Sequence, residues 1–330
     1  CRDTVDGQGH IHFEGEMMND GFLGVLRLAS VALHNLGFAV LVGALLSERW
    51  LARSPSAWQA GVSRRLTRAF RVAAVVALLA SVSEFWIHCA LMSDSTLADA
   101  WPAVRSMLEG TSYGHTWAAG AVFLLCVAGI SLAPRAGSIR FQPVLWLALA
   151  GFAMTRSNAG HPVDAGVFSV PVWADWIHLL AISAWVGLVL VATYVVVPRF
   201  FRAPGNERTN SAAFIQSLSD TATFALIVLF ITGAYNGWRG VNSPGNLLDS
   251  TYGQVLLLKL AFVFIAAALG GHNRFFEMPG LMASLKDTAS ASSVRPLKRF
   301  ATVLHIESAV LVSVLVAAAI LVSSPLPGTS

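Results

Sequence analysis

Residues 83–92 read SEFWIHCALM and close an apolar run that starts near Phe70. The stretch puts a carboxylate, an imidazole, a thiol and a thioether where lipid is expected. Helical spacing sets Glu84, His88 and Met92 at i, i+4 and i+8 on one face, with Cys89 one residue round from His88. Such a ladder is a metal-ligand pattern. Imidazole suits copper, zinc, iron or nickel, and thioether or thiolate favours Cu(I). The plainer reading is a buried Glu–His hydrogen bond with Met and Cys packed beside it. Ionisable groups inside a membrane are costly and mark function by default, and other histidines gather at the same depth. His34 and His178 lie within about two helical turns of the same surface, and His88 about one turn below it. His115 opens an apolar run there, and His161 lies in a connection on that side. With His34, His115 and His178 added, the metal reading of His88 becomes the better one, Glu84 and Met92 tuning or relaying the ion.

Further groups extend this pattern. His10 and His12, followed by Met17 and Met18, precede the first apolar run. An extended H-x-H puts both rings on one face, where they could collect a metal at the mouth. Asp175 precedes His178 by three residues, a spacing that suits a carboxylate orienting a ligating imidazole. At the opposite surface, LHIE holds His305 and Glu307, a candidate relay at the exit, whereas His272 reads as a boundary hydrogen-bonder. Lys259 lies inside an apolar run and needs a partner, for which depth favours Glu84 over Glu307. Asn236, in TGAYNG, is expected to cap or to bond across helices. The three cysteines make no disulfide framework, and Cys89 and Cys126 fall in apolar runs where a thiol packs. A chain that starts at Cys1 without a methionine reads as processed or trimmed. No nucleotide loop, H-E-x-x-H, C-x-x-C or nucleophile elbow occurs, so the expectation is not an enzyme, neither a hydrolase nor an ATP-driven pump.

The elements that must position these groups follow from composition. Of 330 residues 55% are hydrophobic and 12% charged, with mean hydropathy +0.63. A soluble domain carries about 25% charged residues, so the chain is expected to be an all-α integral membrane protein. Eight runs approach the ~20 apolar residues of a spanning helix: 28–47, 69–92, 115–133, 141–159, 173–197, 221–238, 253–272 and 301–323. Sixteen of the 22 Lys and Arg fall in four alternate connections, 47–72, 134–140, 198–220 and 273–300. By the positive-inside rule those connections face the cytoplasm, and both termini face the periplasm in a bacterial inner membrane. The net charge of +4 therefore orients the chain rather than recruiting nucleic acid. The expected organisation is a periplasmic segment 1–27, a four-helix half 28–159, a connection 160–172, a second half 173–323 and a periplasmic tail 324–330.

The halves repeat. LHNLGFAVLVGAL around His34 matches IHLLAISAWVGLV around His178, and each histidine precedes a glycine, Gly43 or Gly187, by nine residues. The third helix opens with TSYG at 111–114 in one half and TYG at 251–253 in the other. Four helices per half return the chain to its starting side, so the repeats are parallel, related by an axis along the membrane normal. His34 and His178 are then partners expected to face each other between the halves.

The second half, over roughly 170–325, resembles the copper resistance protein D family (CopD/PcoD). IHLLAISAWVGLV, TGAYN at 232–236, TYGQVLLLK at 251–259, Asn273-Arg274 followed by Pro279, and Glu307 in the last helix carry the resemblance. It implies a multi-pass inner-membrane protein of copper resistance, with copper ion as the bound metal, moved from periplasm towards cytoplasm. It also implies a periplasmic carrier of the CopC type as partner, a separate one because no carrier domain precedes the first run, with membrane lipid around the chain. His178 is the family's membrane histidine, and His272 departs from the small apolar residue expected before Asn273-Arg274. Two alternatives stand beside copper import: a b-type haem cytochrome with bis-His ligation by His34/His178 or His88/His115, and a non-transporting copper-binding assembly or sensing protein.

Overall fold

A computed structural model describes residues 7–51, 56–133, 141–203, 207–286, 294–324 and 327, with the side chains of 7–20, 161 and 286 outside the description. Twelve α-helices appear among these residues, and no strand. Helix α1 spans Gly7–Leu51, α2 Ala57–Met92, α3 Trp101–Gly110, α4 Ser112–Leu132, α5 Gln142–Asn158 and α6 Val170–Val191. They are followed by α7 Val197–Phe200, α8 Arg208–Val241, α9 Asn246–Asp249, α10 Thr251–His272, α11 Met278–Lys286 and α12 Val294–Ser323. All eight apolar runs fall in helices to within one residue at either end. Seven helical stretches among the described residues are long and apolar enough to cross a membrane. The exception is α5, whose 17 residues extend about 26 Å, short of the ~30 Å hydrocarbon core. Pro143 stands in its first turn, which the fixed φ of proline suits, and the helix packs between α4 and α6.

The N-terminal helix is longer than the sequence reading. It starts at Gly7, so the backbone at His10 and His12 is helical rather than extended. Residues two apart do not share a helix face, which removes the argument for a paired H-x-H; their side chains lie outside the described residues.

In lipid, helices associate by close packing rather than by a hydrophobic drive, so small residues decide where they touch. The two halves meet where α1 crosses α6 at Gly43 and Gly187. A β-carbon on Gly43 would overlap the Gly187 backbone, and one on Gly187 would overlap the Ala39 carbonyl. Within the first half, Gly37 brings α1 against α2, where a β-carbon would lie 3.1 Å from that of Ala77. Phe38, Phe152 and Trp185 fill the interior around these crossings.

Two helices widen by one π turn, at Ala192–Val196 and Asn273–Glu277. Both turns lie just ahead of a proline, Pro198 or Pro279. A proline cannot donate to the carbonyl four residues back and its ring crowds that carbonyl; a π bulge relieves both without ending the helix.

Two turns of the chain are built alike. Short α3 precedes α4 as α9 precedes α10. The Thr111 hydroxyl accepts from the Gly114 amide at 2.9 Å, and the Ser250 hydroxyl from Gly253 at 3.0 Å. Gly114 packs on the backbone of Met107 and Leu108, and Gly253 on that of Asn246 and Leu247. Side chains at both glycines are excluded for the same reason: each short helix folds back over the first turn of the next.

Candidate metal site

In the first half, α1 and α2 approach at Gly37, one turn from His34, and so bring His34 against Glu84. His34 is 3% exposed, and its Nδ1 lies 2.9 Å from Glu84 Oε2. An ionised carboxylate can only accept, so Nδ1 carries the hydrogen and Nε2 keeps its lone pair. Among the described residues that buried Nε2 has no hydrogen-bond partner. Phe152 of α5 walls one side of the ring, with centroids 5.3 Å apart. One turn along α2, the His88 ring lies 5.0 Å from that of Tyr113 on α4. Arg27 and Arg156 act electrostatically on Glu84 from α1 and α5.

The second half repeats the frame with other groups. His178 Nδ1 lies 3.0 Å from Thr232 Oγ1 on α8. That hydroxyl donates its one hydrogen to the Val228 carbonyl at 2.8 Å, so it accepts from Nδ1–H and Nε2 is again the bare nitrogen. Gly233 lets the ring lie on the α8 backbone, where a β-carbon would stand 3.3 Å from His178 Cε1. One turn on, Asn236 Nδ2 donates to Asp175 Oδ1 at 3.4 Å. Lys259 of α10 acts electrostatically on both Asp175 and His178.

Several sequence expectations change here. His34 and His178 occupy equivalent places, but each is bonded to the second helix of its own half rather than turned across the interface. Asp175 pairs with Asn236, and a threonine hydroxyl takes the His178 nitrogen expected to bond it. The carboxylate near Lys259 is Asp175: α10 packs within the second half, away from Glu84, and Glu307 of α12 lies beside Gly270, about three turns further along α10. His34, His88, His115 and His178 do not form one cluster: no group of three or more His, Cys, Asp or Glu among the described residues converges on one ion position. His115 is exposed on the first turn of α4. Met92 ends α2 and is 69% exposed, so the ladder stops at His88. Cys89 is fully buried and packs with Phe85 and Val104, the plainer of its two readings. His161 falls in a short 3₁₀ turn, His161–Ala165, its side chain outside the description.

At the opposite end, His305 and Glu307 turn to different neighbours. His305 Nδ1 bonds its own Ala301 carbonyl at 2.6 Å and packs its ring on Tyr194. Glu307 is 3% exposed and accepts from Trp185 Nε1 at 3.3 Å, beside Gly270. Two residues apart on a helix, they form no common site. His272 stacks on Phe276 and faces Glu277 at 3.5 Å, as a boundary group does.

The sequence reading did not single out Tyr113, Phe152, Arg156 or Thr232. A signal existed for two: Tyr113 stands in the repeated T-x-Y-G-like turn opposite Tyr252, and Arg156 is a lone charge at the end of an apolar run. Phe152 and Thr232 are ordinary members of such runs, and only helix packing picks them out.

Two family models match the chain, the N-terminal domain of copper resistance protein D-like proteins over residues 18–170 and copper resistance protein D over residues 212–321. Copper resistance protein D of Pseudomonas syringae pv. tomato is similar at 28% identity over 262 residues, 74% of this chain and 79% of that protein. Copper transport protein CutJ of Bacillus subtilis (strain 168) is similar at 22% identity over 281 residues, 82% of this chain. The chain covers 48% of the length of CutJ. No solved structure matches.

Proposed function

The chain belongs to the copper resistance protein D family, and on that premise we propose that it carries copper across the bacterial inner membrane, entering at the His34 end. The Lys and Arg distribution supports placing that end in the periplasm. A periplasmic copper carrier of the CopC type then delivers the ion, and membrane lipid surrounds the bundle.

One observation carries this reading: the buried, unpartnered Nε2 of His34, with Glu84 holding the other ring nitrogen. A carboxylate on the far nitrogen fixes the tautomer and raises the basicity of a ligating imidazole. Glu84 thus orients rather than ligates, and it offsets the charge of an arriving cation. His88, one turn nearer the surface, passes copper to His34. Inward movement of a cation gains about 2.3 kcal/mol per charge per 100 mV of membrane potential, so no nucleotide is needed.

The test is copper accumulation in cells expressing the wild-type chain or His34→Ala at equal membrane abundance, with an absorption spectrum of each purified protein. Copper content that falls to the level of cells lacking the protein in the variant, without a Soret band in the wild type, supports the reading. Wild-type accumulation by His34→Ala contradicts it, and a Soret band lost in the variant assigns His34 to haem instead.

A further inference from the structure

At the end of the bundle opposite His34, the first turns of α12 border a groove. Arg295, Lys298, Arg299, Thr302 and Val303 line it from α12, and Glu277, which ends the second π turn, lines it from the facing segment. Helix α12 packs against both that turn and α11, so the cations stand beside a second element rather than on a free helix. They recur at i, i+3 and i+4 and share one helix face. All three are exposed, and among the described residues no carboxylate lies within ion-pair distance of any of them. Glu277 is turned to His272, whose Nε2 lies 3.5 Å away. The Thr302 hydroxyl donates to the Lys298 carbonyl at 3.0 Å, so the donors left to the groove are the guanidinium and ammonium groups. Three positive charges against one negative attract an anion, and the forks of two guanidinium groups match phosphate oxygens in geometry.

The rest of the helix says which anion. The same face continues through Ile306, Ala309 and Val316, all apolar and exposed. From Ile306 to Val316 the helix rises about 15 Å, half of the ~30 Å hydrocarbon core. The face is thus cationic over its first two turns and then apolar over the depth of one leaflet. A phospholipid has that order of charge and hydrocarbon, whereas a soluble phosphate would use the cationic part alone. The 273–300 connection is among the basic ones, which sets the groove at the cytoplasmic leaflet, whose anionic lipids attract basic segments.

We propose that this groove binds the headgroup of an anionic phospholipid of the cytoplasmic leaflet, with one acyl chain lying along Ile306, Ala309 and Val316. Three exposed arginines of α2, Arg64, Arg65 and Arg68, carry the same charge at the same membrane surface. They separate a built site from surface charge in general.

For the test, delipidated protein in mild detergent is titrated with phosphatidylglycerol, with phosphatidylcholine, and with phosphatidylglycerol in excess inorganic phosphate, and bound lipid is counted by native mass spectrometry. The expected result is phosphatidylglycerol bound in preference to phosphatidylcholine and not displaced by phosphate. Arg295→Gln/Lys298→Gln/Arg299→Gln is expected to weaken phosphatidylglycerol binding at least about tenfold, and Arg64→Gln/Arg65→Gln/Arg68→Gln, an equal loss of charge, to leave it within about twofold. Arg299→Gln alone is expected to give a smaller loss of the same sign, and it keeps the test open should the triple variant fail to fold. Equal losses in the two triple variants would mean diffuse surface charge, no preference over phosphatidylcholine an ordinary lipid shell, and displacement by phosphate a site for free anions; each overturns the inference. None of these readings depends on copper.

Discussion

The two halves use one frame for different electrostatics. In both, a histidine on the first helix is bonded through Nδ1 to the second helix, and the third helix starts from a hydroxyl-capped turn over a short preceding helix. In the first half the bonding group is a carboxylate, on which Arg27 and Arg156 act, and among the described residues the other ring nitrogen is buried and unpartnered. In the second half the bonding group is a hydroxyl, and Lys259 acts on the histidine. Helix packing, set by small residues at fixed positions, persists across the repeat, whereas the charged groups do not. The frame places the imidazole; the neighbour on Nδ1 decides what the imidazole can hold.

Four substitutions bear on this contrast, from the largest effect to the smallest. Gly187→Leu removes the crossing on which both halves depend, because even a β-carbon there overlaps the Ala39 carbonyl. It is expected to yield no monodisperse protein in mild detergent by size-exclusion chromatography; a normal elution profile would mean that the halves do not need the crossing. Glu84→Gln keeps the shape of the first site but loses the anion, and copper affinity is expected to fall about 10–100-fold, the range for lost orienting groups on metal-ligating histidines. A competition titration against a copper chelator measures it, and unchanged affinity would erase the electrostatic difference drawn here.

Thr232→Val tests the second half, where the bond is structural. Its loss should cost about 0.5–1.5 kcal/mol for the missing hydrogen bond, seen as a lower midpoint of thermal unfolding, with copper stoichiometry unchanged. A drop in bound copper would instead give His178 a ligand role. Met92→Leu should leave copper affinity within about twofold, since an exposed thioether at a helix end has no site to complete; a larger loss would return Met92 to the pathway.

Much of the fold was legible because lipid imposes long apolar runs, and seven of the eight expected runs lie in helices long and apolar enough to cross a membrane. Residues 7–20 are polar and glycine-containing, a pattern with no apolar period to mark a helix, so the sequence places the start of the first helix at 28. Helix α3 escaped notice because ten residues with one buried side chain, Val104, leave little pattern. The site was legible in its residue types but not in its pairings. His34, Glu84 and His178 stand out as ionisable groups in apolar runs, yet nothing local says that Glu84 meets His34 while Thr232 meets His178. That choice depends on which helices touch, and Gly37, Gly43 and Gly187 set it across distances no spacing rule spans.

The most direct test of the account is copper stoichiometry, by metal analysis after dialysis, for purified His34→Ala and His178→Ala beside wild type. The account predicts that His34→Ala loses the bound copper and that His178→Ala keeps it. Retention in His34→Ala with loss in His178→Ala would place the ion in the second half and contradict the contrast between the halves.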